Sequence, residues 1–360
     1  MHAIDHPACW LGQDLQNSTH WQYRLDAEDI LDLEVAISDI KRAGREIISL
    51  EKADFPLPHL GPTLVKLRKE ILDGRGFVLF KGLPVGRWTR EETAIAYWGM
   101  GAHLGYAVCQ NGKGHLLGHV TDTGDRPTVK ESPEGSAGRF LNSNIRGYTS
   151  RERSYFHVDF SDIVGLLCLA QAKKGGESLI ASSIAIHNEI LKTRPDLLEL
   201  LYQPFWTSRK GEVPAGAKPY YQMPVFNLHE GRLITFIAPG FIRHASQNFP
   251  ELPRLTDKQI EALDMIDNLA SDPRFHLSMV LEPGDIQFIN NYTTLHTRTA
   301  YEDFPEPERK RHLLRLWLVT PDGGSLHRWL YDYYRAGRRG GIYVPGVKEI
   351  ASLEPTASVS

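Results

Sequence analysis

Residues 311–320, RHLLRLWLVT, constrain the fold more than any other stretch of the chain. Apart from Arg311, His312, Arg315 and the closing Thr320, the run is apolar. In an extended strand successive side chains alternate between faces, so Arg311, Leu313, Arg315 and Trp317 share one face and His312, Leu314, Leu316 and Leu318 the other. A strand this apolar belongs inside a sheet, where a guanidinium without an anionic partner is costly. Two readings follow. The arginine face lies at a sheet rim in water, or it lines a barrel interior where a guanidinium clamps a carboxylate through paired hydrogen bonds.

The rest of the chain supplies a frame for that strand. The first third reads as helices. AEDILDLEVAISDIKRAGREI (27–47) has apolar residues at helical spacing, and PTLVKLRKEILDGRG follows with Pro62 in the first turn and Gly74 as a stop. FVLFKGLP (77–84) is a short strand closed by turn residues, and Thr89 with Glu92 forms a capping-box pattern before another helix. From about Phe140 the texture changes. IVGLLCLAQA, GRLITFIAPGF, LSMVLEPGDIQFINN and RHLLRLWLVT read as strands separated by Gly, Pro, Asn and Asp, with helical pieces around 184–202 and 256–271. Helices first and strands later predict an α+β fold, and a closed or double-sheet antiparallel core would protect the strand edges. We read one domain over 1–360: a helical elaboration over about 1–75, a core over 76–320 with an insert near 203–230 covering one mouth, and a C-terminal extension over 321–360.

Chemistry enters at YFHVDF (155–160). His157 and Asp159, two positions apart, share a strand face and can grip one object. Two ligands hold a metal poorly, and His296, in LEPGDIQFINNYTTLHTRTA, is the best third candidate. Two histidines and one carboxylate on one side of a metal make the facial triad of non-haem iron(II) oxygenases, with open positions for substrate or oxygen. A lone His-x-Asp is a common tripeptide, and His296 alone would be an ordinary loop histidine. The arginine strand decides, because a small dicarboxylate that chelates iron at one end needs a cationic clamp at the other.

FHVDF (156–160), GGESLIASSIAIHNEI (175–190), LEPGDIQFINNYTTLH (281–296) and RHLLR (311–315), in this order over residues 74–320, resemble the taurine dioxygenase-like (TauD/TfdA) branch of the iron(II)/2-oxoglutarate-dependent oxygenases. The resemblance implies a double-stranded β-helix, or jelly roll, flanked by helices. It implies His157, Asp159 and His296 as iron ligands, with 2-oxoglutarate and O2 as cosubstrates. Arg311 would bind the distal carboxylate of 2-oxoglutarate, beside the Ser178 hydroxyl. Arg309 is the alternative anchor, and strand alternation favours Arg311. Arg315 stands where some members contact the primary substrate or the cosubstrate's iron-side carboxylate. Relatives that halogenate lack the carboxylate found here as Asp159, so hydroxylation, desaturation or oxidative cyclisation is expected instead. The rivals are an iron oxidase that uses no 2-oxoglutarate and a non-catalytic jelly-roll binding protein.

The polar stretch RFLNSNIRGYTSRERSY (139–155) is either a surface loop or a substrate lid, which makes Asn142, Asn144 and Arg153 candidate substrate contacts. A net charge of −3 with mixed signs gives no stripe for nucleic acid, and no apolar run is long enough to span a bilayer. Three widely spaced cysteines fit a reducing compartment, and the start lacks the pattern of a signal peptide, so a cytoplasmic protein is expected. The expected partner is a small, anionic or amino-acid-like molecule. Homo-oligomer formation is left open.

Overall fold

Residues 2–124, 147–214, 216–334 and 339–355 are described in the computed structural model. The first long helix, Ala27–Ala43, opens on a reciprocal capping box between Asp26 and Asp29 and closes at Gly44, whose φ of 62° places it in the left-handed region. That glycine ends the helix short of the expected residue 47. Leu60–Leu72 and Arg90–Leu104 follow, the latter capped by Thr89 and Glu92 as their spacing predicts. The N-terminal region is not purely helical, because Gln22–Arg24 adds a strand parallel to Phe77–Lys81. Three residues are too few to carry a period-2 signal.

Seven strands form the main sheet. The order is Gln22–Arg24, Phe77–Lys81, Ile286–Asn290, Ile163–Ala170, His312–Val319 and Tyr106–Ala107, with Leu117–Val120 also paired to His312–Val319. Beyond the parallel edge every pairing is antiparallel. A smaller antiparallel sheet is made by His276–Met279, Ser178–Ser182 and Thr294–Arg298. A jelly-roll core flanked by helices, of α+β class, results.

The alternation in His312–Val319 separates two cores. Leu314, Leu316 and Leu318 pack with Phe80, Phe288, Leu64 and Ile95 beneath the N-terminal helices. Leu313 and Trp317 face the other way, into a core shared with Val164, Phe160, Leu179 and Ile180. Arg311 and Arg315 lie on this second side, so the arginine face points into the molecule.

The expectation for GRLITFIAPGF needs correction. Only Arg232–Thr235 is strand, and Pro239 sits in the first turn of a helix, Pro239–Asn248. Proline's fixed φ suits that position. The 203–230 insert forms a hairpin, Pro204–Ser208 against Tyr220–Pro224, and then Phe226–His229 pairs with Arg232–Thr235.

Gly165, in the middle of Ile163–Ala170, allows Tyr97 and Phe288 to close over the sheet. A Cβ there would stand 2.5 Å from Tyr97 Oη and 2.6 Å from Phe288 Cε1. Both side chains are fully buried. Gly165→Ala should therefore destabilise the fold by ~1–3 kcal/mol through overpacking. Urea unfolding checks this, and a variant as stable as the wild type would contradict the packing described.

Candidate active site

His157 and His296 are held together by backbone before side chains are considered. Their main chains exchange two hydrogen bonds, of 3.1 Å and 3.0 Å, in an isolated antiparallel bridge beside Thr294–Arg298. The imidazole centroids stand 4.5 Å apart. Two residues further along, Asp159 is fixed by Asn291. The Asn291 side-chain Oδ1 accepts the Asp159 N–H at 2.8 Å, and its Nδ2 donates to the backbone oxygens of Asp159 and Ser161. Asn291 is fully buried and follows directly on the Ile286–Asn290 strand. The main sheet thereby fixes the turn that carries the carboxylate.

Ligand atoms of His157, Asp159 and His296 lie within 4.8 Å of one another. His157 Nδ1 donates to the Tyr155 carbonyl at 2.8 Å, which turns Nε2 toward the other two side chains as the nitrogen available to a metal. His296 Nε2 is 3.7 Å from Asp159 Oδ2. Burial, helped by the neighbouring His157, pushes the His296 pKa down to about 3, so it is a neutral imidazole near pH 7. Burial alone would raise the Asp159 pKa, but Arg315 and the two imidazoles outweigh it and hold the carboxyl below its ordinary value. Trp317 Nε1 donates to Asp159 Oδ2 at 2.7 Å, and Arg315 Nη1 donates to the same oxygen at 3.2 Å. A neutral His296 imidazole and an ionised Asp159 carboxylate are the protonation states a divalent cation requires.

Arg311 is 5 % exposed. Its Nη2 donates to the Gly176 carbonyl at 3.2 Å, while Nη1 is buried with no hydrogen-bond partner. Burial pulls its pKa below the ordinary value. The guanidinium lies 5.2 Å from the Tyr301 ring centroid. Gly176, at φ 82°, makes room for it, because a Cβ there would meet Arg311 Nε at 2.8 Å. Arg309 is exposed and lies over the Phe304 ring. Ser178, on the small sheet, lines the same cavity as Arg311 and donates to Gln287 Oε1 at 3.0 Å.

Arg315 lines the same cavity and is engaged through Nε and Nη1. Besides the Asp159 contact, its Nε donates to Gln110 Oε1 at 2.7 Å, and Gln110 in turn donates to the Arg315 carbonyl. Arg153 is exposed and turns outward, with its guanidinium on Asp267 and Ser271 of the Asp257–Ser271 helix. Asn142 and Asn144 lie outside the described residues.

His157, Asp159, His296, Ser178, Arg311 and Arg315 line one cavity of about 170 Å³ that also takes in Tyr148, Phe160, Lys210, Phe241 and Arg298. Gln110, Asn291 and Lys210 were not singled out from the sequence. An amide next to another amide, as in Asn290–Asn291, carries no periodic signal. Lys210 sits in the insert at φ 50°, a left-handed conformation unusual for a residue with a Cβ, and is buried against the cavity.

The family model for taurine catabolism dioxygenases of the TauD, TfdA family matches residues 37–317. FR-33289 synthase of Streptomyces rubellomurinus is 32 % identical over 330 residues, covering 89 % of this chain and 93 % of the relative. The taurine hydroxylase-like protein SAT17 of Stachybotrys chartarum is 32 % identical over 318 residues, covering 85 % and 77 %. Among solved structures, an asparagine oxygenase in complex with Fe(II), a hydroxyasparagine and succinate superposes with a TM-score of 0.60 at 17 % identity, covering 84 % of this chain and 94 % of that one. The chain belongs to the TauD/TfdA family, and it is a non-haem iron(II), 2-oxoglutarate-dependent dioxygenase.

Partners that orient a metal ligand typically contribute about 10–100-fold to metal affinity. Trp317→Phe keeps the ring and deletes the donor to Asp159. It should weaken Mn2+ or Fe2+ binding by about tenfold with unchanged thermal stability, as measured by anaerobic metal titration. Unchanged affinity would remove Trp317 from the metal centre.

Proposed function

We propose that this dioxygenase oxidises an unactivated C–H bond of a small anionic or amino-acid-like substrate, by hydroxylation, desaturation or ring closure. His157, Asp159 and His296 would hold the iron, and Arg311 with Ser178 would hold the distal carboxylate of 2-oxoglutarate. When bound, iron(II) with 2-oxoglutarate and O2 supplies the oxidising power, and the cosubstrate leaves as succinate and CO2. The observation that carries the reading is Arg311 Nη1, a buried donor with no partner on the wall of the cavity that contains the three ligands. An unpaired buried donor is expensive unless something else completes it, and a carboxylate matches the guanidinium fork.

The protein's own contribution is orientation and charge. Tyr155 and Asn291 set the His157 tautomer and the Asp159 backbone. Phe160, Leu166, Leu313 and Trp317 make the wall behind the ligands apolar, which keeps water from the reacting C–H bond. Among the described residues the cavity wall carries Lys210, Arg298, Arg311 and Arg315 against the single carboxylate of Asp159. That excess of positive charge supports an anionic substrate. Arg315 is better read as a positioning residue for Asp159 than as a substrate contact, since its Nε and Nη1 are engaged by Gln110 and Asp159.

Asp159 occupies the third ligand position, which favours these oxidations over halogenation. An iron oxidase that dispenses with 2-oxoglutarate has no use for Arg311. Among the described residues no helix is long and apolar enough to cross a membrane. No disulfide joins Cys9, Cys109 and Cys168, which supports a reducing, cytoplasmic setting. Self-association belongs to the same reading as an open alternative to a single chain.

Truncating one partner of a desolvated charge pair typically costs ~2–5 kcal/mol, which is tens- to thousands-fold in affinity. Arg311→Ala should raise the 2-oxoglutarate concentration needed for half-saturation by at least tens-fold and leave metal binding nearly unchanged. Arg311→Lys should not restore it, because an ammonium lacks the fork. Anaerobic titration of 2-oxoglutarate into each iron-loaded variant gives the answer. Wild-type affinity in Arg311→Ala would place the anchor elsewhere.

A further inference from the structure

A second cluster of ligating side chains lies outside the catalytic cavity, where Ala27–Ala43 begins. Asp26, Asp29 and His59 each bring one donor atom to within 4.8 Å of the others. His59 Nε2 stands 3.3 Å from Asp26 Oδ2 and 3.7 Å from Asp29 Oδ1. Donors bound at about 2.0–2.2 Å to one ion stand ~3–3.5 Å apart in octahedral or tetrahedral geometry. The cluster is close to that spacing already.

Asp29 supplies the independent observation. It is fully buried, its Oδ2 accepts the Tyr23 hydroxyl and the Asp26 N–H, and its Oδ1 has no hydrogen-bond partner. That orphaned carboxylate oxygen is the one that faces His59 Nε2. A buried acceptor left in this state calls for a water or an ion. The remaining atoms are spoken for in ways that leave the cluster open. Asp26 caps the helix through Oδ1, which accepts the N–H groups of Glu28 and Asp29, so Oδ2 is not needed for capping. The His59 and Leu60 N–H groups are both taken by Asp32 Oδ2, which fixes that turn without the imidazole. Glu28 Oε2 lies 3.0 Å from His59 Nδ1. A carboxylate on one imidazole nitrogen orients the other nitrogen and makes it a better donor.

We propose that Asp26 Oδ2, Asp29 Oδ1 and His59 Nε2 bind a first-row divalent cation and tie the start of Ala27–Ala43 to the start of Leu60–Leu72. One imidazole and two carboxylates are a donor set suited to Zn2+ or Mn2+. The bound ion replaces the proton that would otherwise sit on His59 between the carboxylates.

The test uses the full chain carrying His296→Ala, so that the catalytic triad is broken and the second cluster is read alone. The protein is stripped of metal, incubated with Zn2+ and passed through gel filtration, and zinc per chain is measured. One equivalent is expected in His296→Ala and none in His296→Ala/His59→Ala. Asp26→Asn in the same background keeps the capping oxygen but loses a charged ligand, and it should also lose the zinc. Zinc should raise the unfolding midpoint of His296→Ala and leave the His59→Ala double variant unmoved. No retained zinc in His296→Ala would overturn the site and leave His59 as an imidazolium paired with its neighbours. Zinc that persists in the double variant would overturn it too.

Discussion

A buried carboxylate among cations and imidazoles sets the terms for the interior. Asp159 has His157 and His296 on one side and the Trp317 N–H and Arg315 on another. Taking a carboxylate this far from water is unfavourable unless its charge is matched. Here the match comes from Arg315, whose own position depends on Gln110 and so on the strands Leu117–Val120 and His312–Val319. The chain of contacts runs from Asp159, proposed to bind the metal, through an ion pair to the sheet. It explains why an otherwise apolar strand tolerates two arginines, since Arg315 has a resident anion and Arg311 is proposed to await one.

Both sheets are needed to build the centre. Asp159 is anchored by Asn291, which hangs from the main sheet, whereas His296 lies in the small sheet and pairs with His157 across the gap between them. A proposed ligand set tied to two sheets is held firmly, because relative movement would break the backbone bridge and the Asn291 clamp together. Rigid placement of this kind suits a centre whose open face must keep a fixed direction for cosubstrate and substrate.

Much of this was legible in the sequence, and the reasons differ by residue. The His-x-Asp pair is a common tripeptide and gains weight only beside the RHLLR alternation, and the structure places His157, Asp159, Arg311 and Arg315 on one cavity. The helices over 27–43 and 90–104 announced themselves through capping residues and periodicity. What was missed depends on contacts far apart in sequence. Asn291 acts on Asp159 across 132 positions and Gln110 on Arg315 across 205. Pairings at such separations leave no trace in a local window. The helix Pro239–Asn248 was misread because APGF is short and apolar, so a strand ending and a helix opening on proline look alike. For Arg153 the sequence leaves a surface loop and a lid both open, and its guanidinium rests on Asp267 and Ser271 of a neighbouring helix.

The division between legible and hidden follows the division of labour in the molecule. Residues proposed to hold iron and cosubstrate sit on or beside strands, where period-2 geometry restricts which side chains can meet. The wall that would meet a primary substrate is drawn in part from connecting segments, with Lys210 in the 203–230 hairpin and Phe241 in the helix that follows. Connections vary in length and conformation while the scaffold persists, so a fold can keep one oxidising centre and change what is offered to it. Lys210 makes the point in a single residue. It holds a left-handed backbone that a β-carbon disfavours, and strain of that kind persists only where the surroundings enforce it. The surroundings here are a buried wall of the cavity, so the packing that enforces the strain is the packing that shapes the cavity.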